Sequence, residues 1–171
     1  MFTAAPDLRT GLAALHRESF VWALHCCRGD AARAEDALQE AYLKILAGRA
    51  RFGGRSSLKT WLLALIRHTA ADEWRRDERH RARVATFDEM PEPAIASDDA
   101  LAHAHAAAGV REALDALPAR QREVLTLVFY HDLTLDDAAA VMGVSPGTAR
   151  THYDRAKHQL RKTLARSETL P

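Results

Sequence analysis

The chain has 171 residues, of which 47% are hydrophobic and 27% are charged, and its formal net charge is +1. This length allows one or two domains, and the hydrophobic fraction excludes an intrinsically disordered chain. No apolar run approaches the roughly 18 to 20 residues that cross a membrane, and residues 1–7 lack the basic start and apolar core of a secretion signal. We therefore expect a cytoplasmic protein without a membrane span. Alanine and leucine dominate while strand-like alternation is scarce, which predicts an all-α fold.

Three helices are predicted in the N-terminal part of the chain, because apolar residues recur there at helical spacing. The apolar residues of the first helix are Leu8, Leu12, Leu15, Trp22 and Leu24; those of the second are Leu38, Ala41, Tyr42, Ile45 and Leu46; those of the third are Leu58, Leu62, Leu65, Ile66 and Thr69. Glycines mark a loop between the second and third helices. Ser56 or Ser57 caps the third helix, which we expect to continue through the basic stretch Arg75–Arg83.

Neither the cysteines nor the histidines form a pattern that binds metal. Cys26 and Cys27 are adjacent, a spacing that suits neither a structural disulfide nor a zinc pair, so we expect buried, reduced thiols. His103 and His105 form a pair, but no set of four ligands assembles around them. We therefore expect no metal and no other cofactor.

The third helix also carries a pattern that favours nucleic-acid binding. Two sets of residues recur every seven positions: Trp61, His68 and Arg75, and Arg67, Trp74 and Arg81. Seven residues make two helical turns, so each set lies on nearly one side of the helix. An aromatic ring beside cations offers a surface for base stacking and a charge that attracts the backbone of a single strand. The alternative is that both tryptophans pack into the helical core under arginine stems.

A flexible acidic linker is predicted over residues 84–110, between an N-terminal helical domain at 1–83 and a small C-terminal helical domain at 111–171. Residues 84–99 contain two prolines and five acids without a clear period, and residues 84–117 hold seven acids against one base. We expect an alanine-rich helix that ends near Leu117, a break at Pro118, and then a helix through Val124, Leu125, Val128 and Phe129.

The segment Leu133–Arg155 predicts a helix-turn-helix. Thr134 caps its first helix, Gly143 ends that helix, and Ser145 caps the second helix. Pro146 occupies the first position of the second helix, where its missing N–H costs nothing. The turn has the length that this motif uses.

The second helix of this motif has an apolar side and a basic side. Its apolar stripe is Ala149, Tyr153, Ala156 and Leu160, which we expect to face the core. Residues 146–166 hold six basic residues against one acid, an electrostatic pattern typical of phosphate binding. We expect the first turns to direct polar side chains outward, because side chains at these positions of such a motif enter the major groove of DNA. These residues are Thr148, Arg150, Thr151, His152 and Arg155. The alternative is a helical hairpin whose arginines are merely solvated.

These segments resemble the extracytoplasmic-function (ECF) sigma factors, the smallest group of bacterial RNA polymerase sigma subunits. Residues 34–40 (Ala-Glu-Asp-Ala-Leu-Gln-Glu) are similar to the family segment that docks on the clamp helices of the largest polymerase subunit, which implies core-binding roles for Asp36, Gln39 and Glu40. Phe52, residues 57–62 (Ser-Leu-Lys-Thr-Trp-Leu), Ile66, Asp72 and Arg75-Arg76 resemble the segment that melts and holds the −10 element. The resemblance thus implies −10 DNA binding by Trp61, Arg67, His68, Trp74, Arg75 and Arg76.

In the C-terminal domain, Leu117-Pro118, residues 121–124 and residues 147–150 resemble the family domain that recognises the −35 element. The residues implied in −35 DNA binding are Thr148, Arg150, Thr151, His152, Arg155 and Lys157. His68, Ala149 and His152 depart from the asparagine, valine and arginine that are usual in the family. The implied partners are core RNA polymerase (clamp helices and flap), promoter DNA and an anti-sigma factor, and no catalytic residue is implied.

The resemblance implies a division of labour. The N-terminal domain binds core polymerase and traps the unpaired strand, while the C-terminal helix binds upstream duplex. Two other hypotheses use the same residues differently. One is a helix-turn-helix transcriptional regulator that does not bind core polymerase as a sigma subunit. The other is a hydrolase using His103 and His105, although no phosphate loop, nucleophile motif or convergent carboxylates accompany them.

Overall fold

A computed structural model describes residues 5–84 and 113–167 of the chain, and these residues form helices and turns without a strand. The all-α prediction is thereby confirmed. The chain divides into two compact units, with the boundary after Ile95, and we call them the N-terminal unit and the C-terminal unit. Most of the predicted linker, the alanine-rich segment before residue 113, and His103 and His105 lie outside the described residues. None of the described helices is long and apolar enough to span a membrane.

The N-terminal unit consists of α1 (Ala5–Ala14), α2 (His16–Cys26), α3 (Ala31–Leu46) and α4 (Leu58–Val84). The single helix predicted from Leu8 to Leu24 is therefore wrong, because it is divided at Leu15. The Leu15 backbone, with φ −89° and ψ −2°, stays right-handed but departs from regular α-helical angles. Hydrogen bonds from Leu15 N to Gly11 O and from Ser19 N to Leu15 O nevertheless continue the ladder across the division.

The core of the N-terminal unit is built by α2, α3 and α4. Small residues on α3 are fully buried and let the helices approach closely, namely Ala34, Ala37 and Ala41. Trp22 on α2 is also fully buried, and its indole N–H donates to Leu63 O on α4 at 2.9 Å. This bond satisfies a buried donor and fixes α2 against α4. Leu46, in contrast, is 73% exposed because it lies in the last turn of α3 on the side away from the core.

The two cysteines lie where α2 ends. Neither forms a disulfide; Cys27 is buried, as expected, but the expected burial of Cys26 is wrong, because Cys26 is half-buried. Burial, reinforced by the nearby negative charges of Glu73 and Asp30, raises the pKa of Cys27 to about 11. The thiol of Cys27 is therefore protonated at neutral pH.

The C-terminal unit contains α5 (Ala119–Leu125), a single π turn (Thr126–Tyr130), α6 (Leu135–Met142) and α7 (Pro146–Ser167). Its fully or nearly fully buried residues include Val124, Leu125, Leu127, Val141, Met142, Ala149 and Ala156. Arg122 fastens the chain before α5, because its guanidinium donates to the carbonyls of Leu114, Asp115 and Leu117 at 3.0, 2.6 and 3.2 Å. Leu114 O also accepts from Leu117 N at 3.1 Å, so these bonds together hold the residues before Pro118 against α5.

The π turn changes which residues face the core. The sequence predicted a helix that continues through Phe129, but the chain forms a π turn there, and Phe129 is 66% exposed and Tyr130 is 53% exposed. A π turn adds a residue to the helical repeat and so rotates the residues after it. Leu127, which is fully buried, occupies the core instead.

Candidate functional site

The outward side of α3 combines polar and apolar side chains. Asp36 and Gln39 are exposed, Glu40 is half-buried, and the exposed Leu43 and Leu46 continue the same side at helical spacing. The N-terminus of this helix is fixed by Asp30, whose carboxylate accepts from Arg33 N at 3.1 Å. A side of a helix that exposes two leucines next to acids is typical of a protein interface.

Leu43 is the residue on α3 that sequence reasoning missed, and it is 53% exposed. The signal was present, since Leu43 follows Asp36 by two helical turns and so lies on the same side. Because leucine on an amphipathic helix usually belongs to the core, only the structure separates Leu43 and Leu46 from the buried stripe.

The surroundings of α3 are electrostatically negative at neutral pH. Burial raises the pKa of the Glu73 carboxyl on α4, and the charges of Asp36 and Glu40 raise it further. Lys44 and Arg76 oppose this effect in part, and the ammonium of Lys44 donates to Thr69 Oγ1 at 3.0 Å. Three carboxyl groups from two helices therefore lie close together, a charge pattern that favours a cationic partner.

A second candidate surface lies where α4 begins. Ser57 caps the helix, because its hydroxyl accepts from Thr60 N at 3.0 Å, as predicted. Trp61, in the first turn, is half-buried and packs against Phe52 from the preceding loop, with ring centroids 5.4 Å apart. Phe52 is 37% exposed, and Arg51 and Arg55 of the same loop are exposed. The loop thus places cations beside an aromatic pair.

Further along α4, the side that Trp61 occupies continues through residues spaced by seven. His68 and Arg75 are exposed there, Arg76 is exposed beside them, and Arg67 is half-buried. Arg75 pairs with Asp72, and its hydrogen bond holds the pKa of the Asp72 carboxyl below its usual range. The structure therefore brings Trp61, His68 and Arg75 onto one side of a continuous helix.

Trp74 is on a different side of α4 from Trp61. Its ring contacts two guanidinium groups, one from the turn between α2 and α3 and one from the first turn of α3, with Arg28 Cζ at 5.0 Å and Arg33 Cζ at 5.2 Å from the ring centroid. Its indole N–H donates to Glu78 Oε1 at 2.7 Å. The structure brings Trp74 together with the start of α3 and not with Trp61.

The helix-turn-helix in the C-terminal unit has the predicted caps. Thr134 accepts from Asp137 N at 3.1 Å and Ser145 accepts from Thr148 N at 3.1 Å. Gly143 ends α6 with φ +66°, a left-handed conformation that glycine adopts at little cost. The two cap hydrogen bonds and the left-handed glycine together fix where α7 begins and hence which side chains its first turns present.

The outward side of α7 is defined by what lies beneath it. Ala149 and Ala156 are fully buried, as predicted, and Tyr153 and Leu160 are half-buried. The exposed polar residues of its first turns are Thr148, Arg150, Thr151 and Arg155. His152 was expected to point outward but is half-buried, because it flanks the buried stripe. Lys157 is also half-buried, with its ammonium 5.0 Å from the centroid of the Tyr153 ring.

Two exposed aromatic side chains, Phe129 and Tyr130, lie outside this surface. Phe129 stacks on Tyr153 with centroids 6.1 Å apart, and both Phe129 and Tyr130 are more than half exposed. Aromatic side chains left in solvent are typical of protein interfaces. The C-terminal unit therefore has an aromatic surface next to its basic helix.

Comparison with known proteins identifies both units. Residues 13–80 match the family described as Sigma-70 region 2, and residues 108–160 match Sigma-70, region 4. The ECF RNA polymerase sigma factor SigC of Mycobacterium tuberculosis is 36% identical over 140 residues, which are 82% of this chain and 75% of that protein. SigX of Bacillus subtilis, another ECF sigma factor, is 32% identical over 79% of this chain and 72% of its own length.

A solved structure supports the same relationship. The sigma factor RpoE of Bartonella quintana, in complex with the anti-sigma factor NepR, superposes with a TM-score of 0.71 at 25% identity, covering 94% of this chain and 98% of that one. A region 2 unit followed by a region 4 helix-turn-helix defines a sigma factor that acts with RNA polymerase in transcription initiation. This chain belongs to the ECF family of RNA polymerase sigma factors.

Proposed function

We propose that the two units divide the work of promoter recognition by core RNA polymerase. In this proposal residues 1–83 bind core polymerase and the −10 element, residues 84–110 are an acidic linker, and residues 111–171 bind the −35 element. The observation that carries it is the separation of an acid-and-leucine side on α3 from an aromatic and basic side on α4. The work requires no covalent chemistry, because promoter opening draws on binding energy alone.

The core-binding surface is assigned to α3. Asp36, Gln39 and Glu40 supply polar contacts to the clamp helices of the largest subunit, and the exposed Leu43 supplies apolar area next to them. A surface in which apolar contact is ringed by charge is the usual construction of a protein interface. The negative field of Asp36, Glu40 and Glu73 selects a basic partner surface.

This assignment is tested by reversing one charge. Asp36→Arg is expected to abolish binding to purified core polymerase, measured by fluorescence anisotropy with a labelled sigma subunit. Ala14→Arg is the matched control, because it adds the same guanidinium at an exposed position of α1. Unchanged core affinity in Asp36→Arg would contradict the assignment.

Strand capture is assigned to Trp61 with Phe52, and to His68, Arg67, Arg75 and Arg76 along the helix. Base stacking on an aromatic side chain contributes roughly 1 to 3 kcal/mol, which offsets part of the cost of opening the duplex.

Trp61→Ala should reduce permanganate reactivity of promoter thymines at saturating holoenzyme while core affinity stays unchanged. Trp61→Phe is the control, since it keeps a ring against Phe52.

Upstream recognition is assigned to α7, through Thr148, Arg150, Thr151 and Arg155, with His152 and Lys157 at the edges of the surface.

Arg150→Ala and Arg155→Ala should weaken promoter binding and leave core affinity intact. A bidentate contact to a base is worth roughly 1 to 3 kcal/mol at one position, whereas a phosphate contact weakens binding to all sequences alike. Competition among single-base promoter variants separates the two kinds of contact.

Two further partners follow from the same surfaces. The exposed Phe129 and Tyr130 fit the polymerase flap, because they lie beside the basic helix and leave its outward side free for DNA. An anti-sigma factor is proposed because the superposed RpoE structure contains NepR. Such an inhibitor would compete with core polymerase for the exposed side of α3.

A further inference from the structure

Stacking of promoter bases does not explain the position of Trp74. It follows Trp61 by thirteen residues on α4, which places the two side chains about 140° apart around the helix axis. The ring of Trp74 is in contact with Arg28 and Arg33, and its N–H is bonded to Glu78. A DNA strand stacked on Trp61 therefore lies on a different side of α4 from Trp74.

The turn that Trp74 contacts is conformationally strained. Arg28 has φ +56° and the following Gly29 has φ +85°. A non-glycine residue in the left-handed region is disfavoured and persists where its surroundings hold it. The guanidinium of Arg28 over the Trp74 ring is a contact that holds this turn against α4.

Arg33 extends the same contact to the start of α3. Its guanidinium pairs with Asp77 on α4 at 2.9 Å and with Asp30, the cap of α3, at 3.3 Å. The Trp74 ring covers this guanidinium at 5.2 Å. Trp74 and Asp77 together therefore connect α4 to the N-terminal end of α3.

The connected residues border the proposed polymerase surface. A cavity of about 320 Å³ lies between the end of α2, the start of α3 and α4, and Arg33, Trp74, Glu73 and Asp36 all line it. Asp36 is exposed on the next turn of α3 after Arg33. A displacement of the start of α3 therefore displaces Asp36.

We propose that Trp74 is a positioning residue for the core-polymerase interface: by binding Arg28 and Arg33, it fixes the start of α3, and with it Asp36, against α4. This inference rests on the proposed core-binding role of Asp36. It assigns Trp74 to the polymerase side of the N-terminal unit and leaves strand capture to Trp61 and its neighbours.

The test compares core affinity with promoter opening in the full-length chain. Trp74→Ala is expected to weaken core binding about fivefold to thirtyfold, the range that two cation–π contacts supply. At saturating concentration its holoenzyme opens the promoter as the wild type does. Trp74→Phe restores core affinity because it keeps a ring under both guanidinium groups, whereas Trp74→Leu does not.

Arg28→Gly separates positioning from fold stability. This change removes the guanidinium but also relaxes the left-handed backbone, so the melting temperature is expected to stay within a few degrees of the wild type while core affinity falls. If Trp74→Ala does not fold, Arg28→Gly still tests the positioning role. Wild-type core affinity in a folded Arg28→Gly variant overturns the proposal.

Two other outcomes also overturn it. One is a Trp74→Ala variant that binds core polymerase normally but whose holoenzyme loses thymine reactivity at saturation. This result would assign Trp74 to DNA binding. The other is retained core binding in Asp36→Arg, which removes the core-binding assignment on which the proposal rests. If Asp36→Arg abolishes core binding while Arg28→Gly binds normally, the positioning role alone is wrong.

Discussion

At the scale of single residues, Glu73 is a carboxyl group in an unfavourable environment. Burial and the charges of Asp36 and Glu40 raise its pKa above the ordinary value, so the folded state binds this proton more tightly than the unfolded state does. Stability is then lost as the pH rises from below the unfolded pKa through the folded pKa. Glu73 thus weakens the fold at neutral pH next to the surface that we assign to polymerase.

We therefore expect Glu73→Gln to unfold at higher urea concentration than the wild type at pH 7. The difference should disappear below about pH 4, where the carboxyl is protonated in both states. Urea titrations followed by circular dichroism across this pH range measure it. Glu35→Gln is a matched control on an exposed position of α3, where the same neutralisation should produce a smaller change. A Glu73→Gln variant less stable than the wild type at pH 7 contradicts this electrostatic account.

The adjacent cysteines should differ in reactivity. Cys27 is buried with its pKa raised to about 11, so little reactive thiolate exists at pH 7.5, whereas Cys26 is half-buried. Alkylation of the native protein with iodoacetamide, followed by mass spectrometry, should modify Cys26 first. In urea both should react at similar rates. Faster modification of Cys27 in the native state would be inconsistent with its burial.

At the scale of elements, the helix-turn-helix was predictable because its signals are local. Thr134, Gly143 and Ser145 each act within three residues of their own position, so their spacing in the sequence already indicates both ends of α6 and the start of α7. The π turn and the exposure of Phe129 were not predictable in this way. They depend on which of Leu127 and Phe129 fills the core, and this is decided by packing against other helices.

The same distinction applies to α3 and α4. Helical spacing placed Trp61, His68 and Arg75 on one side of α4, but it gave no information about which neighbouring helix faces Trp74. The contacts of Arg28 and Arg33 with that ring join parts of the chain more than forty residues apart. Likewise, the apolar spacing of α3 could not separate exposed Leu43 and Leu46 from buried Leu38.

Gly143 offers a test of how the motif depends on one turn. A Cβ at this position meets no atom within 4 Å, so the cost of Gly143→Ala comes from its φ of +66° alone and should be about 1 to 2 kcal/mol. Chemical denaturation of the C-terminal unit within the full chain measures it. Gly143→Asn should cost less, because asparagine tolerates the left-handed region better. Equal losses for the two variants would indicate that backbone conformation is not the cause.

At the scale of the whole molecule, each unit has its own buried core. Leu62 is fully buried in the N-terminal unit, while Val141 is fully buried in the C-terminal unit. Since the chain divides into two compact units, destabilising one core should leave the other folded.

We expect Leu62→Ala to cost about 2 to 5 kcal/mol and to act within one unit. Hydrogen exchange measured by mass spectrometry should show reduced protection in α2, α3 and α4, with unchanged protection in α5, α6 and α7. Val141→Ala should give the reverse pattern. Loss of protection in both units after either change would show that they unfold together.

The three tryptophans give this protein intrinsic optical probes at three different places. Trp22 is enclosed in the core, Trp61 lies against Phe52, and Trp74 lies under two guanidinium groups. Variants that keep one indole and replace the other two by phenylalanine would each emit from a known environment. Unfolding, strand capture and inhibitor docking could then be followed separately without an attached dye.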